Sequence, residues 1–358
     1  MSENKCPVTN YGGQAVVEGV MMRGKKFFAV SCRKRSGEIV STCENVENNL
    51  GCFAGLIKIP FLRGIVALAD SMILGTKTLM YSADIAIADE EENKQKNEAL
   101  SEKDIKKQKK QQKEAERAKN ELKKSDNKVN GIFVGLSAFV GVAIGVCLFM
   151  LIPIIITKFV TGTMPFLKDN WVLFALIEGI LKFLIFVGYV WLISFMPDVK
   201  RVFSYHGAEH KTINCYEGEE ELTVENVRKY TTINPRCGTS FLLIFISISI
   251  ILFCFVPTPE VLGKIFVSNA VFVAKIGILV RFALKIILLP IIAGIAYECI
   301  KFSAKKPNSI FTKTIMAPGL LMQKLTTKEP DDSMIECAIN SLKLVIDKEN
   351  NDKAEENS

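Results

Sequence analysis

This chain of 358 residues contains two histidines, and they fall four apart in the stretch YHGAEHKTINCYEGEEE, Tyr205 to Glu221. On a helix, residues i and i+4 project from one face, so His206 and His210 can present ring nitrogens to a single metal ion. Glu209 precedes the second histidine and completes H-x-x-E-H, the inverted zinc-peptidase signature. In that pattern two ligands accompany a glutamate that takes a proton from metal-activated water. The chemistry this spacing points to is hydrolysis at a divalent metal, with Glu209 as catalytic base and zinc as the ion that imidazole and carboxylate suit. A plainer reading stays open, in which the two rings sit on an amphipathic cytoplasmic helix and hydrogen-bond to carboxylates or backbone. Gly207 inside the motif counts toward it, since glycine weakens a helix by about 1 kcal/mol.

A metal site needs a third ligand. Glu217 lies on nearly the same helical face, but at about 1.5 Å rise per residue it stands roughly 10 Å along the axis from His210 and roughly 16 Å from His206. Asn214 and Cys215 are nearer but less convincing donors. Two carboxylates from other segments are better candidates: Glu298 in AYECIKF, at the cytoplasmic end of an apolar run, and Glu18 in GGQAVVEGVMMRG. Downstream, NPRCGTSFL reads as a tight turn leading into another apolar run. Its Arg236 and Cys237 are either catalytic or anion-binding groups, or parts of a turn that only anchors a span.

Hydropathy sets the elements that must position these groups. Hydrophobic residues make up 49% of the chain and mean hydropathy is positive, which argues against a pair of ordinary soluble domains. Four apolar stretches, 131–160, 171–195, 239–256 and 276–297, approach or exceed the roughly 20 residues a helix needs to cross a bilayer. Residues 197–238 hold Lys200, Arg201, Lys211, Arg228, Lys229 and Arg236, while the loops on the other side are poor in lysine and arginine. The positive-inside rule therefore puts this middle loop and both termini in the cytoplasm. The first thirty residues lack the pattern of a cleaved signal peptide. The fold class expected is mainly α, a polytopic membrane protein of four transmembrane helices with a small β-rich N-terminal cytoplasmic unit and cytosolic helices.

That unit spans residues 1–49. KFFAVSCRK and EIVSTCENV alternate about an RSGE turn and predict a hairpin, with GGQAVVEGVMMRG as a further strand. In 50–89, Arg63, Asp70, Lys77 and Asp84 recur every seven residues, predicting a helix with one polar seam, in the membrane plane or packed on the bundle. Residues 90–130 form a charged linker. The 298–347 segment ends in an amphipathic helix starting near Asp331 or Asp332, and 348–358 reads as a disordered tail.

The ten cysteines contain no CxxC pair, which argues against a zinc ribbon or a disulfide scaffold. The net charge of +7, carried on the cytoplasmic side, suits the anionic lipids of an inner leaflet rather than any specific nucleic acid.

GGQAVVEGVMMRG at 12–24, PFLRG at 60–64, YHGAEHKTINCYE at 205–217, NPRCGTSF at 234–241, LPIIAGIAYE at 289–298 and PGLLMQKLTTKEPDD at 318–332 occur in order and cover nearly the whole chain outside 90–130 and the tails. In these motifs the sequence resembles the bacterial YqhQ-like membrane protein family, a domain-of-unknown-function family. The resemblance implies a multi-pass protein of the bacterial plasma membrane and a metal-dependent enzyme. It places His206, Glu209, His210, Glu18 and Glu298 inside family motifs. The function expected is that of a metal-dependent hydrolase at the cytoplasmic membrane surface. The alternative is a non-enzymatic scaffold or assembly factor for membrane-protein partners, acting through the charged arm. A transporter is disfavoured by the few ionisable residues within the spans, Glu178, Lys182, Arg281 and Lys285 being the main ones.

Overall fold

The computed structural model describes residues 11–46, 62–102, 170–257, 259–266, 270–305 and 309–356, with isolated positions between 59 and 160. Four strands come first: β1 (Gly12–Val16), β2 (Gly19–Arg23), β3 (Phe27–Arg33) and β4 (Ile39–Asn45), an antiparallel meander in the order β1-β2-β3-β4. The helices that follow are α1 (Leu62–Glu102), α2 (Trp171–Ile193), α3 (Pro197–Glu217), α4 (Val224–Lys229), α5 (Gly238–Phe253), α6 (Pro259–Phe266), α7 (Ala270–Lys305), α8 (Ile310–Thr326) and α9 (Asp332–Glu356). The contacts divide the chain into one unit of residues 1–86 and 169–358 and a second of 87–168; the candidate site lies in the first.

GGQAVVEGVMMRG is two strands rather than one. Val17 and Glu18 make a two-residue turn between β1 and β2, with Glu18 in the left-handed region at φ +52°, and Val16 pairs with Gly19. Both faces of the sheet are covered. Val20, Met22, Phe27 and Ala29 pack with Tyr205 and Ile213 of α3 and with Ile335, Ala338 and Leu342 of α9. Val16, Met21, Phe28 and Val30 meet Leu74 of α1 on the other face. Burial on two sides explains why β2 and the first half of β3 are apolar almost without interruption.

The seam on α1 is an ion-pair seam. Arg63 reaches Glu298, Asp70 pairs with Arg23, and Lys77 lies 2.8 Å from Glu44. The helix continues past residue 90, where a linker was expected; the rest of 90–130 lies outside the described residues. At the other end, α9 runs to Glu356 through the expected tail. Its last turns are held because Glu349 accepts from the Lys25 and Lys26 amides and the Tyr11 hydroxyl, and Asp352 accepts from Lys26 Nζ at 2.6 Å.

Two described helices are long and apolar enough to cross a membrane, Val172–Ile193 and Ile276–Ser303. Only 11% and 22% of their apolar windows are buried within the molecule. A core helix of a soluble protein would be mostly covered, so these surfaces point to membrane association. The four-span expectation narrows accordingly. Its third stretch is α5, an apolar helix of 16 residues, short of the usual spanning length, and 131–160 lies almost wholly outside the described residues.

Candidate metal centre

The histidine motif lies on α3, which starts at Pro197 and carries Asp198 in its first turn, both favourable at a helix N-terminus. Its middle is deeply buried. His206 is 9% exposed, Glu209 4% and His210 0%. Gly207 is required by close approach rather than tolerated as a weak point, because a Cβ there would sit 2.0 Å from the Lys328 carbonyl oxygen. Gly13 on β1 plays the same part for Glu209: a Cβ on it would stand 2.6 Å from Glu209 Cγ.

Both imidazoles are fixed by backbone carbonyls. His206 Nδ1 lies 2.9 Å from Thr326 O, at the end of α8, and His210 Nδ1 lies 2.5 Å from Thr232 O. A carbonyl only accepts, so each Nδ1 donates, and in the neutral ring this leaves Nε2 with its lone pair free to ligate. The 231–233 segment is docked on α3 through three successive carbonyls, since Asn214 Nδ2 donates to Thr231 O at 2.9 Å and to Ile233 O at 3.1 Å. Asn214 thus positions the histidine's acceptor.

Cys237 completes the cluster. It is the N-cap of α5, its Sγ 3.1 Å from His206 Nε2 and 3.1 Å from Thr239 Oγ1. Gln323, fully buried on α8, clamps the turn that carries it: its Oε1 accepts from the Asn234 amide at 2.9 Å, and its Nε2 donates to Asn234 O at 2.6 Å and Ser240 Oγ at 2.8 Å. Among the described residues, His206, His210 and Cys237 form a group whose ligand atoms all lie within 4.8 Å of one another. Tetrahedral zinc with Zn–N about 2.0 Å and Zn–S about 2.3 Å requires N···S separations of roughly 3.5 Å, so small adjustments suffice. His210 Nε2 is buried and has no hydrogen-bond partner among the described residues. A buried lone pair left so costs about 1–3 kcal/mol and needs a physical explanation, which a cation supplies.

Glu209 stands beside this group, with Oε2 3.8 Å from His206 Nε2. Burial pushes its carboxyl up to about 7, against the smaller opposing effects of His206 and the Gly13 amide. The other carboxylates considered from sequence are engaged elsewhere. Glu18 is gripped by Arg201 and accepts from the Tyr205 hydroxyl at 3.3 Å; Glu298 accepts from Arg63 Nε and Nη2 at 2.6 and 2.5 Å; Glu217 pairs with Arg236. Their guanidinium partners satisfy them, and none belongs to the three-residue group. Sequence reasoning missed Thr232, Thr326, Gln323 and Gly13. Backbone carbonyl acceptors leave no mark in residue type, whereas the glutamine in PGLLMQKL was a signal, being a polar residue on a largely apolar helical run.

Residues 59–348 match the model of a family described as "Protein of unknown function (DUF1385)". The chain is also 33% identical to the "Uncharacterized protein YqhQ" of Bacillus subtilis (strain 168), over 97% of this chain and 95% of that one. No solved structure matches. With most of its length inside the family model, and a relative aligned from end to end that carries the YqhQ name, the chain belongs to the DUF1385 family of YqhQ-like proteins.

Proposed function

We propose that the chain is a metal-dependent enzyme in which His206, His210 and Cys237 hold a divalent ion and Glu209 is the general base. The observation that carries this reading is the convergence of two tautomer-fixed imidazoles and a cysteine sulfur, with His210 Nε2 buried and unpartnered. Two imidazoles and one sulfur favour zinc over magnesium or calcium, and three protein ligands with a fourth position left open are characteristic of catalytic rather than structural zinc. Such an ion would supply Lewis acidity, enough to bring the pKa of water down to about 7. The residues do the rest. Thr326 and Thr232 hold the rings, Gln323 holds the cysteine turn, and Glu209 lies close enough to take and return a proton. The reaction class supported is hydrolysis of an ester or amide at the cytoplasmic face of a bilayer, in a multi-pass protein whose basic lobe faces anionic lipids.

Metal analysis of the full-length protein tests it. Wild type is expected to carry about one zinc per chain, His206→Ala, His210→Ala and Cys237→Ser to carry little, and Glu209→Gln to retain the metal. Wild-type protein without stoichiometric divalent metal, or three ligand variants with unchanged metal, would leave only the packing role of the scaffold alternative.

A further inference from the structure

Helix α1 has one side taken and one side bare. The sheet takes the first: Leu74 packs with Val16, Met21, Phe28 and Val30, Gly75 lies against the Gln14 side chain, and Ser82 Oγ accepts from the Val17 amide at 3.1 Å. On the other side Met72 and Met80 are 65% and 64% exposed, Ile73 and Leu79 45% each, and Leu62 also lies open. At about 3.6 residues per turn these five fall on one stripe, about five turns long. The positions between them on that stripe are Ile65, Ala69 and Thr76, so no ionisable residue interrupts it. The charges of the helix lie to one side and are engaged there, Arg63 by Glu298, Asp70 by Arg23 and Lys77 by Glu44.

A contiguous exposed apolar surface edged by polar residues marks a contact with a partner or a membrane. Two observations select the bilayer. The first is where α1 begins. A Cβ on Gly64 would stand 2.7 Å from Tyr297 Cβ and 3.2 Å from the Ala293 carbonyl oxygen, so the first turn of α1 packs closely on α7, near the C-terminal end of its apolar stretch Ile276–Ser303. The stripe therefore starts beside a helix long and apolar enough to cross a membrane. The second is what α1 carries on its back. A helix that crosses needs apolar surroundings along its length, whereas α1 is bonded to strands whose Arg23 and Glu44 pair with it. Apolar on one side and bound to a polar-edged sheet on the other, it has the form of a helix that lies along the interface.

We propose that α1 lies in the plane of the membrane, with Met72, Ile73, Leu79 and Met80 set into the acyl boundary of one leaflet and the sheet on its outer side. The partner is the phospholipid bilayer itself, met by apolar contact rather than by headgroup charge. This surface is separate from the metal centre and does not depend on the function proposed for it.

Photocrosslinking in full-length protein tests it. p-Benzoylphenylalanine replaces Met72, Met80 or Ser71 one at a time, and each protein is reconstituted in nanodiscs of phosphatidylethanolamine and phosphatidylglycerol. All three positions are exposed, so the replacement removes no packing, and Ser71 faces away from the stripe. Irradiation joins the probe to the C–H bonds it touches, and mass spectrometry identifies the adduct. Phospholipid adducts are expected at both 72 and 80, with their loss at 71. Absence of a lipid adduct at 72 or 80, or adducts there to a second copy or to another segment of the chain, would overturn the proposal. Lipid adducts as abundant at 71 as at 72 and 80 would also overturn it, since they describe a helix immersed on all sides.

Discussion

The molecule buries polar groups in two places, and the two are unbalanced in opposite senses. Between α3, the end of α8 and the start of α5, lone pairs converge: two Nε2 atoms and a sulfur, with one nitrogen receiving no donor. Between the apolar helices, N–H donors converge on a single carboxylate, and one guanidinium edge finds no acceptor. The first arrangement suits a cation, and the second holds one carboxylate among three cationic side chains. Each imbalance is visible because the surrounding polar groups are satisfied: Gln323 makes three hydrogen bonds, and Asn214 makes two.

Ways to break this contrast differ in size. The largest effect belongs to the ligands themselves. Replacing His210 or Cys237 should lower metal affinity by more than ~100-fold, since even outer-shell partners are worth about 10–100-fold, and dialysis against a graded chelator reads it. Next comes Gly207→Ala. Its Cβ would meet the Lys328 carbonyl at 2.0 Å, so the change forces α3 away from that segment and should cost about 1–3 kcal/mol or more, read as a lower unfolding midpoint. Gln323→Ala leaves the Asn234 backbone groups unpaired and loosens the turn carrying Cys237. A loss of about 1–3 kcal/mol in stability is expected, with metal affinity reduced by ~10-fold or more.

Smaller effects sharpen the contrast by what they leave alone. Glu298→Gln and Glu18→Gln each break an arginine pair, and both should leave metal content at the wild-type level. The Arg201–Glu18 pair is 48% and 32% exposed, so its loss should cost no more than about 1 kcal/mol. The smallest effect is at Asp331. Burial raises its pKa, but hydrogen bonds from Ser333 and the Met334 amide, with the charge of Arg201, outweigh burial and hold the carboxyl below its ordinary value. Its contribution is complete above about pH 4, the unfolded value, and is lost as pH falls through the lower folded value. Asp331→Asn should therefore lose part of the stability at neutral pH and show a shallower decline below pH ~4, measured by urea titration.

The histidine pair, the polar seam of α1 and the apolar face of α9 were legible in sequence because each has a local period that helix geometry reads directly. Glu18 was harder. Its turn depends on a single left-handed residue, φ +52° at a glutamate, which residue type alone does not signal, so two strands looked like one. Choosing the third ligand from sequence favoured carboxylates, on the general chemistry of zinc. What the sequence could not show is three-dimensional: Arg63 and Arg201, distant in sequence from Glu298 and Glu18, take those carboxylates, while the turn clamped by Gln323 brings Cys237 within 3.1 Å of His206. Gly207 was misread for the same reason. The Lys328 carbonyl that makes it necessary is far along the chain and belongs to the packing, not to the helix.

X-ray absorption at the zinc edge of the purified full-length protein tests the central claim most directly. Metal held by His206, His210 and Cys237 predicts one sulfur scatterer at about 2.3 Å together with nitrogen or oxygen at about 2.0–2.1 Å, and loss of the sulfur shell in Cys237→Ser. Protein without bound metal, or a first shell of nitrogen and oxygen alone in wild type, would contradict it.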